Sequence, residues 1–162
     1  GADRVPQCLP SGSISITSPA MATQRTLAII KPDAMEAGHA GVIIARIQEE
    51  GFAIKAMRQL HLSTRQAEGF YDVHRERPFF GELVEFMSRG PVVVMALEAD
   101  DAINKWREVI GATNPEKAAE GTIRKLYGKD LGENAVHGSD APETAAIEIA
   151  YFFPGYEVRP TV

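Results

Sequence analysis

Seven polar residues at the edges of otherwise apolar stretches carry the chemistry open to this sequence: Lys31, Tyr71, Arg107, Thr113, Arg124, Asn134 and His137. A lysine with two arginines is the kind of cationic set that grips a polyphosphate. Charge grows on phosphoryl oxygens during transfer, and fixed cations stabilise it. Arginine adds planar, bidentate donors. The neutral imidazole of His137 keeps a lone pair near neutral pH and can serve as general base or as nucleophile. Each of these residues also has a plainer reading. A lone histidine is more often structural, arginines on an outer helical face are usually solvated, Phe79 and Phe80 fit a core, and Tyr71 with His74 fits ordinary helix packing.

Other chemistries are excluded by what is missing. The chain has no G-x-x-x-x-G-K-[ST] loop and no H-R-D or D-F-G set. His39, His61, His74 and His137 lack metal-ligand spacing. His137, Ser139 and Asp140 have the residue types of a hydrolase triad but are too close in sequence to stack as a relay. A net charge of −5 argues against strong nucleic-acid binding. Apolar runs such as Val92 to Leu97 fall far short of the roughly 20 residues that cross a bilayer. Cys8 is the only cysteine, so no disulfide framework forms and a reducing compartment fits.

The elements that must position these residues begin after a leader. Residues 1–20 hold Pro6, Pro10 and Pro19, have no amphipathic period, and read as a vector-derived or disordered leader; residues 21–162 read as a single domain, in a sequence of average composition, 44% hydrophobic and 24% charged over all 162 residues. Thr26 to Ile30 is a short β-forming run stopped by Lys31-Pro32. Gly41 to Glu50 is an amphipathic helix with Val42, Ile44, Ala45 and Ile47 near one face, ended by Gly51. Phe52 to Leu62 is a strand with room for a bulge. Ser63 and Gln66 form a capping box opening a helix to about His74, and Phe80 to Ser88 is another, ended by Gly90-Pro91.

Pro91 to Leu97 is continuously apolar, which predicts a central strand buried on both sides. A helix from Asp100 to about Ile110, two short helical pieces, a β-like piece from Asn134 to His137 and a last helix from Ala141 to Phe152 complete the order, with Asp140 and Glu143 placed as a capping pair. The order predicts an α+β fold: a ferredoxin-like βαββαβ sandwich, a four-stranded antiparallel sheet with helices on one face and an inserted helical hairpin.

The segment Asn134 to Asp140 (NAVHGSD) resembles the active-site signature of nucleoside diphosphate kinases. IKPD at Ile30, GFY at Gly69 followed by His74, RPFF at Arg77, GPV at Gly90, GATNP at Gly111 and GTIR at Gly121 resemble that family in the same order. The similarity spans Met21 to about Phe153, with no departure at a position carrying chemistry. It implies a reversible ping-pong transfer of the γ-phosphate from a nucleoside triphosphate to a nucleoside diphosphate. In that scheme Nδ1 of His137 is the nucleophile, and Glu148 holds the other ring nitrogen. Lys31, Arg107, Thr113 and Arg124 hold phosphates, with Lys31 and Asn134 also reaching the sugar hydroxyls and Tyr71 close to the reacting centre. Phe79 and Leu131 sandwich the base, which predicts broad nucleotide specificity.

The same resemblance implies Mg2+ bound through the donor phosphates, with no direct protein ligand and Asp140 touching it through water. It implies a homo-oligomer built on dimers, a tetramer or hexamer. Cytoplasm is the default compartment, and the tail from Pro154 to Val162 is placed across a neighbouring subunit. Two other readings belong to other classes: a non-catalytic binding module of the same fold, and a relay protein passing phosphate from histidine to another protein. Intact His137, Lys31, Arg124 and Glu148 argue against the first.

Overall fold

The computed structural model describes residues 22–161, so the leader and Cys8 lie outside the described residues. Four strands form one antiparallel sheet: β1 (Thr23–Ile30), β2 (Ala53–His61), β3 (Pro91–Asp100) and β4 (Val136–Gly138), in the order β2-β3-β1-β4. Seven α-helices connect or follow them: α1 (Pro32–Glu36), α2 (Ala40–Glu49), α3 (Thr64–Phe70), α4 (Phe80–Ser88), α5 (Ala102–Ile110), α6 (Ile123–Tyr127) and α7 (Pro142–Phe152). This is the expected ferredoxin-like plan, and α3 with α4 forms the inserted hairpin between β2 and β3. The bulge in β2 falls between Ile54 and Ala56, where its register against β3 shifts.

Helices cover both faces of the sheet, not one. On the first face Ala28, Ile30, Val93, Met95 and Leu97 meet Ile43 and Ile47 of α2 and Trp106 of α5. On the second, Leu27, Ile29, Val92, Val94 and Ala96 meet Ala67 of α3, Val84 and Met87 of α4 and Phe152 of α7. The inserted hairpin and the last helix thus bury the face that a simple sandwich leaves to solvent. β1 and β3 sit between the two layers, which is why they read as unbroken apolar runs.

Several element boundaries differ from expectation. In α2 the buried stripe is Ile43 and Ile47, four residues apart on one face, while Val42 is 49% exposed. The capping box at Ser63 and Gln66 is present, but α3 ends at Phe70. Tyr71 turns inward to 7% exposure, and a 3-10 turn over Asp72–His74 follows. β3 runs on to Asp100, and Asp101, at φ 51, reverses the chain before α5. At α7 the capping pair fails. Pro142 occupies the first helical turn behind the N-cap residue Ala141, no side chain caps the helix, and Asp140 lies one residue too early.

The tail returns to its own subunit. Arg159 N donates to Lys55 O at 3.0 Å, and Arg25 Nη2 donates to Arg159 O at 2.7 Å. Glu98 accepts from Arg25 and from Thr161, and Arg58 pairs with Glu157. The edge of β2 and the charged end of β3 thus hold the tail within the same chain.

β4 is held from below by Trp106, fully buried, whose Nε1 donates to His137 O at 3.1 Å. A Cβ on Gly138 would lie 2.7 Å from Trp106 Cδ1 and 3.3 Å from Ile110 Cδ1. Gly138→Ala is therefore expected to destabilise the fold by about 1–3 kcal/mol through overpacking, read as a lower urea midpoint with an unchanged slope.

Candidate active site

The site is built where β4 joins the sheet beside β1. His137 stands opposite Ile29 and Ser139 follows two residues later, so alternation points both side chains to the second face, towards α3 and α7. There α7 supplies Glu148, eleven residues beyond the histidine. Its Oε1 lies 3.0 Å from His137 Nε2 and accepts from Ser139 Oγ at 2.7 Å. Ser139, 1% exposed, also accepts the Leu27 backbone N–H at 3.1 Å, which ties the carboxylate's holder to the central strand. Phe70 packs edge-on against the imidazole, with ring centroids 5.4 Å apart.

Tyr71 closes the inner side of this pocket. Its hydroxyl is buried without a hydrogen-bond partner, and burial together with the nearby Glu148 charge raises its pKa, so the phenol stays protonated. Beyond it His74 lies parallel at 6.5 Å between centroids and Phe79 lies 5.5 Å from His74, forming an aromatic row that leads outward. Phe79 and Leu131 are both solvent-facing, one on the lip of α4 and the other on the loop before Asn134.

The cationic residues gather on the adjoining side. Lys31, which ends β1, donates from Nζ to Asn134 Oδ1 at 2.8 Å, and Asn134 Nδ2 donates to Thr113 O at 3.0 Å. Arg124 comes from α6 and donates to Gly111 O at 3.0 Å and Val136 O at 2.9 Å, while its Nε is buried and unpaired. Arg107, Thr113, Arg124 and Asp140 line one open hollow of about 680 Å³ that reaches Gly138, next to the histidine.

Burial, with the nearby Arg124 charge, lowers Lys31 to a pKa of about 8. Burial, with Arg107 beside it, lowers Arg124 to about 10. Two desolvated cations without a carboxylate bonded to either make a place where an anion is strongly favoured. Among the described residues no cluster of three or more His, Cys, Asp or Glu side chains is arranged to hold a metal.

The structure thus brings His137 to Glu148 and joins Lys31 to Asn134. Arg107, Thr113 and Asp140 lie exposed around the hollow with Arg124, Phe79 ends the aromatic row, and Leu131 stands exposed on the loop before Asn134. Sequence reasoning missed three supports. Ser139 enters the sequence reading as a discounted triad residue, with no sign that it would bridge Glu148 to the backbone of Leu27. Asp33 sits in the IKPD segment but nothing local points to its role, and Trp106 carries no local signal, because their partners Ala135 and His137 lie 102 and 31 residues away. What the arrangement can do is hold a phosphoryl chain on buried cations against an oriented imidazole.

An oriented histidine beside a hollow that holds Arg107 and Arg124, on a ferredoxin-like sheet, fits a phosphotransferase type of site. Comparison with known proteins carries this further. The family model for nucleoside diphosphate kinase matches residues 24–158. The nucleoside diphosphate kinase of Sorangium cellulosum (strain So ce56) is 67% identical over 141 residues, covering 87% of this chain and 98% of the relative. That of Syntrophotalea carbinolica is 64% identical over 135 residues, with coverage of 83% and 98%.

Among solved structures, the Aquifex aeolicus nucleoside diphosphate kinase superposes with a TM-score of 0.83 at 53% identity, covering 85% of this chain and 99% of that one. A halophilic nucleoside diphosphate kinase from Halobacterium salinarum, solved in complex with CDP, gives 0.83 at 36% identity, with coverage of 87% and 94%. The chain belongs to the nucleoside diphosphate kinase family, enzymes that transfer phosphate between nucleotides.

The depressed pKa of Lys31 has a consequence for stability. Unfolding restores the lysine to its ordinary value of 10.5, so between pH 8 and 10.5 the unfolded chain binds more protons than the folded one. Stability linked to this group therefore rises with pH across that window, and the cost of burying the charge is fully present below pH 8. Wild type is expected to gain on Lys31→Met, on the order of 3 kcal/mol in all, when urea midpoints are followed from pH 7 to 10.5. A constant difference would show that Lys31 titrates normally.

Proposed function

We propose that this kinase works by a ping-pong cycle through a phosphohistidine on His137. The carrying observation is the 3.0 Å contact between His137 Nε2 and Glu148. A carboxylate accepting there keeps the proton on Nε2 and leaves the lone pair on Nδ1, which has no hydrogen bond among the described residues. Nδ1 attacks the γ-phosphorus of the donor triphosphate, the bond to the bridging oxygen breaks, and the donor leaves as a diphosphate. The terminal oxygen of an acceptor diphosphate then attacks the phosphorus and frees the imidazole. Lys31, Arg107, Thr113 and Arg124 hold the phosphates. Lys31 and Asn134 meet the sugar hydroxyls, and Tyr71, kept protonated, donates near the transferring group. Phe79 and Leu131 flank the base, reading only its π-face, so purines and pyrimidines both serve.

Mg2+ fits this arrangement as an ion carried by the substrate. The hollow holds Asp101, Glu108 and Asp140 beside Arg107, Lys117 and Arg124, with no metal-holding cluster among the described residues, and Asp140, exposed at its rim, can reach such an ion through water. When bound, the ion neutralises charge between the donor's phosphates. We assign the protein to the cytoplasm as a homo-oligomer built on dimers; no described helix is long and apolar enough to cross a membrane. Light scattering of the purified protein reads the oligomer number.

Intact-mass spectrometry with ATP and magnesium, without acceptor, is expected to show one added phosphoryl group that is acid-labile, absent in His137→Ala, and lost when a nucleoside diphosphate is added. Absence of that adduct on folded wild type would remove the phosphohistidine from the cycle. Glu148→Ala is expected to slow its formation by roughly 100-fold, through loss of the tautomer and ring orientation, in single-turnover quench measurements, while the protein remains folded.

A further inference from the structure

Between Asn134 and His137 the chain makes a turn that its residues do not favour. Ala135 has φ 73, one of two non-glycine residues with positive φ among those described, and it is fully buried. A side chain with a Cβ is disfavoured in that region. Two groups from the end of β1 and the start of α1 grip it from both sides: Lys31 N donates to Ala135 O at 2.8 Å, and Ala135 N donates to Asp33 Oδ2 at 3.0 Å.

The first grip is backbone and survives any side-chain change. The second is a single carboxylate, partly withdrawn from water, whose pKa burial raises against the lowering effect of Ala135 and other nearby amides. The residue it holds lies next to Asn134, whose Oδ1 meets Lys31 Nζ, and two residues before His137.

We propose that Asp33 is a positioning residue for phosphoryl transfer, acting through Ala135 by holding it in the left-handed conformation that aims Asn134 at Lys31 and starts β4 in register for His137. The proposal rests on the assignment of Lys31, Asn134 and His137 to the nucleotide site. Asp33 touches no substrate in this scheme. Its carboxylate takes up the Ala135 N–H, a buried donor that no other residue is placed to accept, and without it the turn loses one of its two anchors.

The test is a double-mutant cycle between Asp33→Ala and Ala135→Gly, because glycine holds positive φ without penalty. Asp33→Ala alone is expected to lower kcat/KM by at least tenfold, with slower phosphohistidine formation in a single turnover. In the Ala135→Gly background the same substitution is expected to cost at least threefold less. Equal losses in both backgrounds would overturn the proposal, as would a wild-type rate of phosphohistidine formation in folded Asp33→Ala. If Asp33→Ala does not fold, Asp33→Ser, too short to reach Ala135, carries the same comparison. A His137→Ala control without a phosphoryl adduct keeps the site assignment separate: an adduct there sinks the site reading, whereas additive losses sink only the role of Asp33.

Discussion

The site depends on a ladder of three residues. β4 pairs with β1 only through Ala28 with Gly138, Ile29 with His137 and Ile30 with Val136. A shift of one residue would send His137 to the Trp106 face and Gly138 to the Glu148 face. Register is therefore secured from several directions. Trp106 accepts no residue larger than glycine at position 138 without rearrangement, Ser139 bonds the backbone of Leu27, and Lys31 bonds the backbone of Ala135. His137 is aimed by packing on the opposite face as much as by its own hydrogen bonds.

The same join sets the electrostatics. Lys31 ends the central strand and Arg124 spends its donors on two backbone carbonyls, so both cations are fixed in place and largely dry. Holding charges this way costs stability, which the depressed pKa values of both groups express. The return is a pair of fixed cations that would need no reorganisation to meet a phosphate chain. Tyr71 follows the same logic, with a buried hydroxyl that finds no protein acceptor.

The insertion of α3 and α4 links fold to function. By covering the second face of the sheet, the hairpin creates the wall against which His137 rests, through Phe70. It also carries the aromatic row that ends at Phe79 on the surface. Its chain path departs from a regular helix at Tyr71, where burying the phenol outweighs continuing the helix.

By itself the sequence determined the order of elements, the central position of β3, the bulge in β2 and the identity of the polar residues, because these follow from local periodicity, turn chemistry and signature segments. Glu148 was legible only through the family pattern, since nothing in its own helix points to His137, eleven residues earlier. Only the tertiary structure decided that both sheet faces are covered, that Asp140 is no helix cap and that the tail bonds to Arg25, Lys55 and Glu98 of its own chain. The same holds for the anchoring of the histidine strand by Trp106, Ser139 and Asp33. These outcomes depend on contacts between residues far apart in the chain, where a single buried hydrogen bond or a close packing distance overrides local preference and leaves no trace in neighbouring residues.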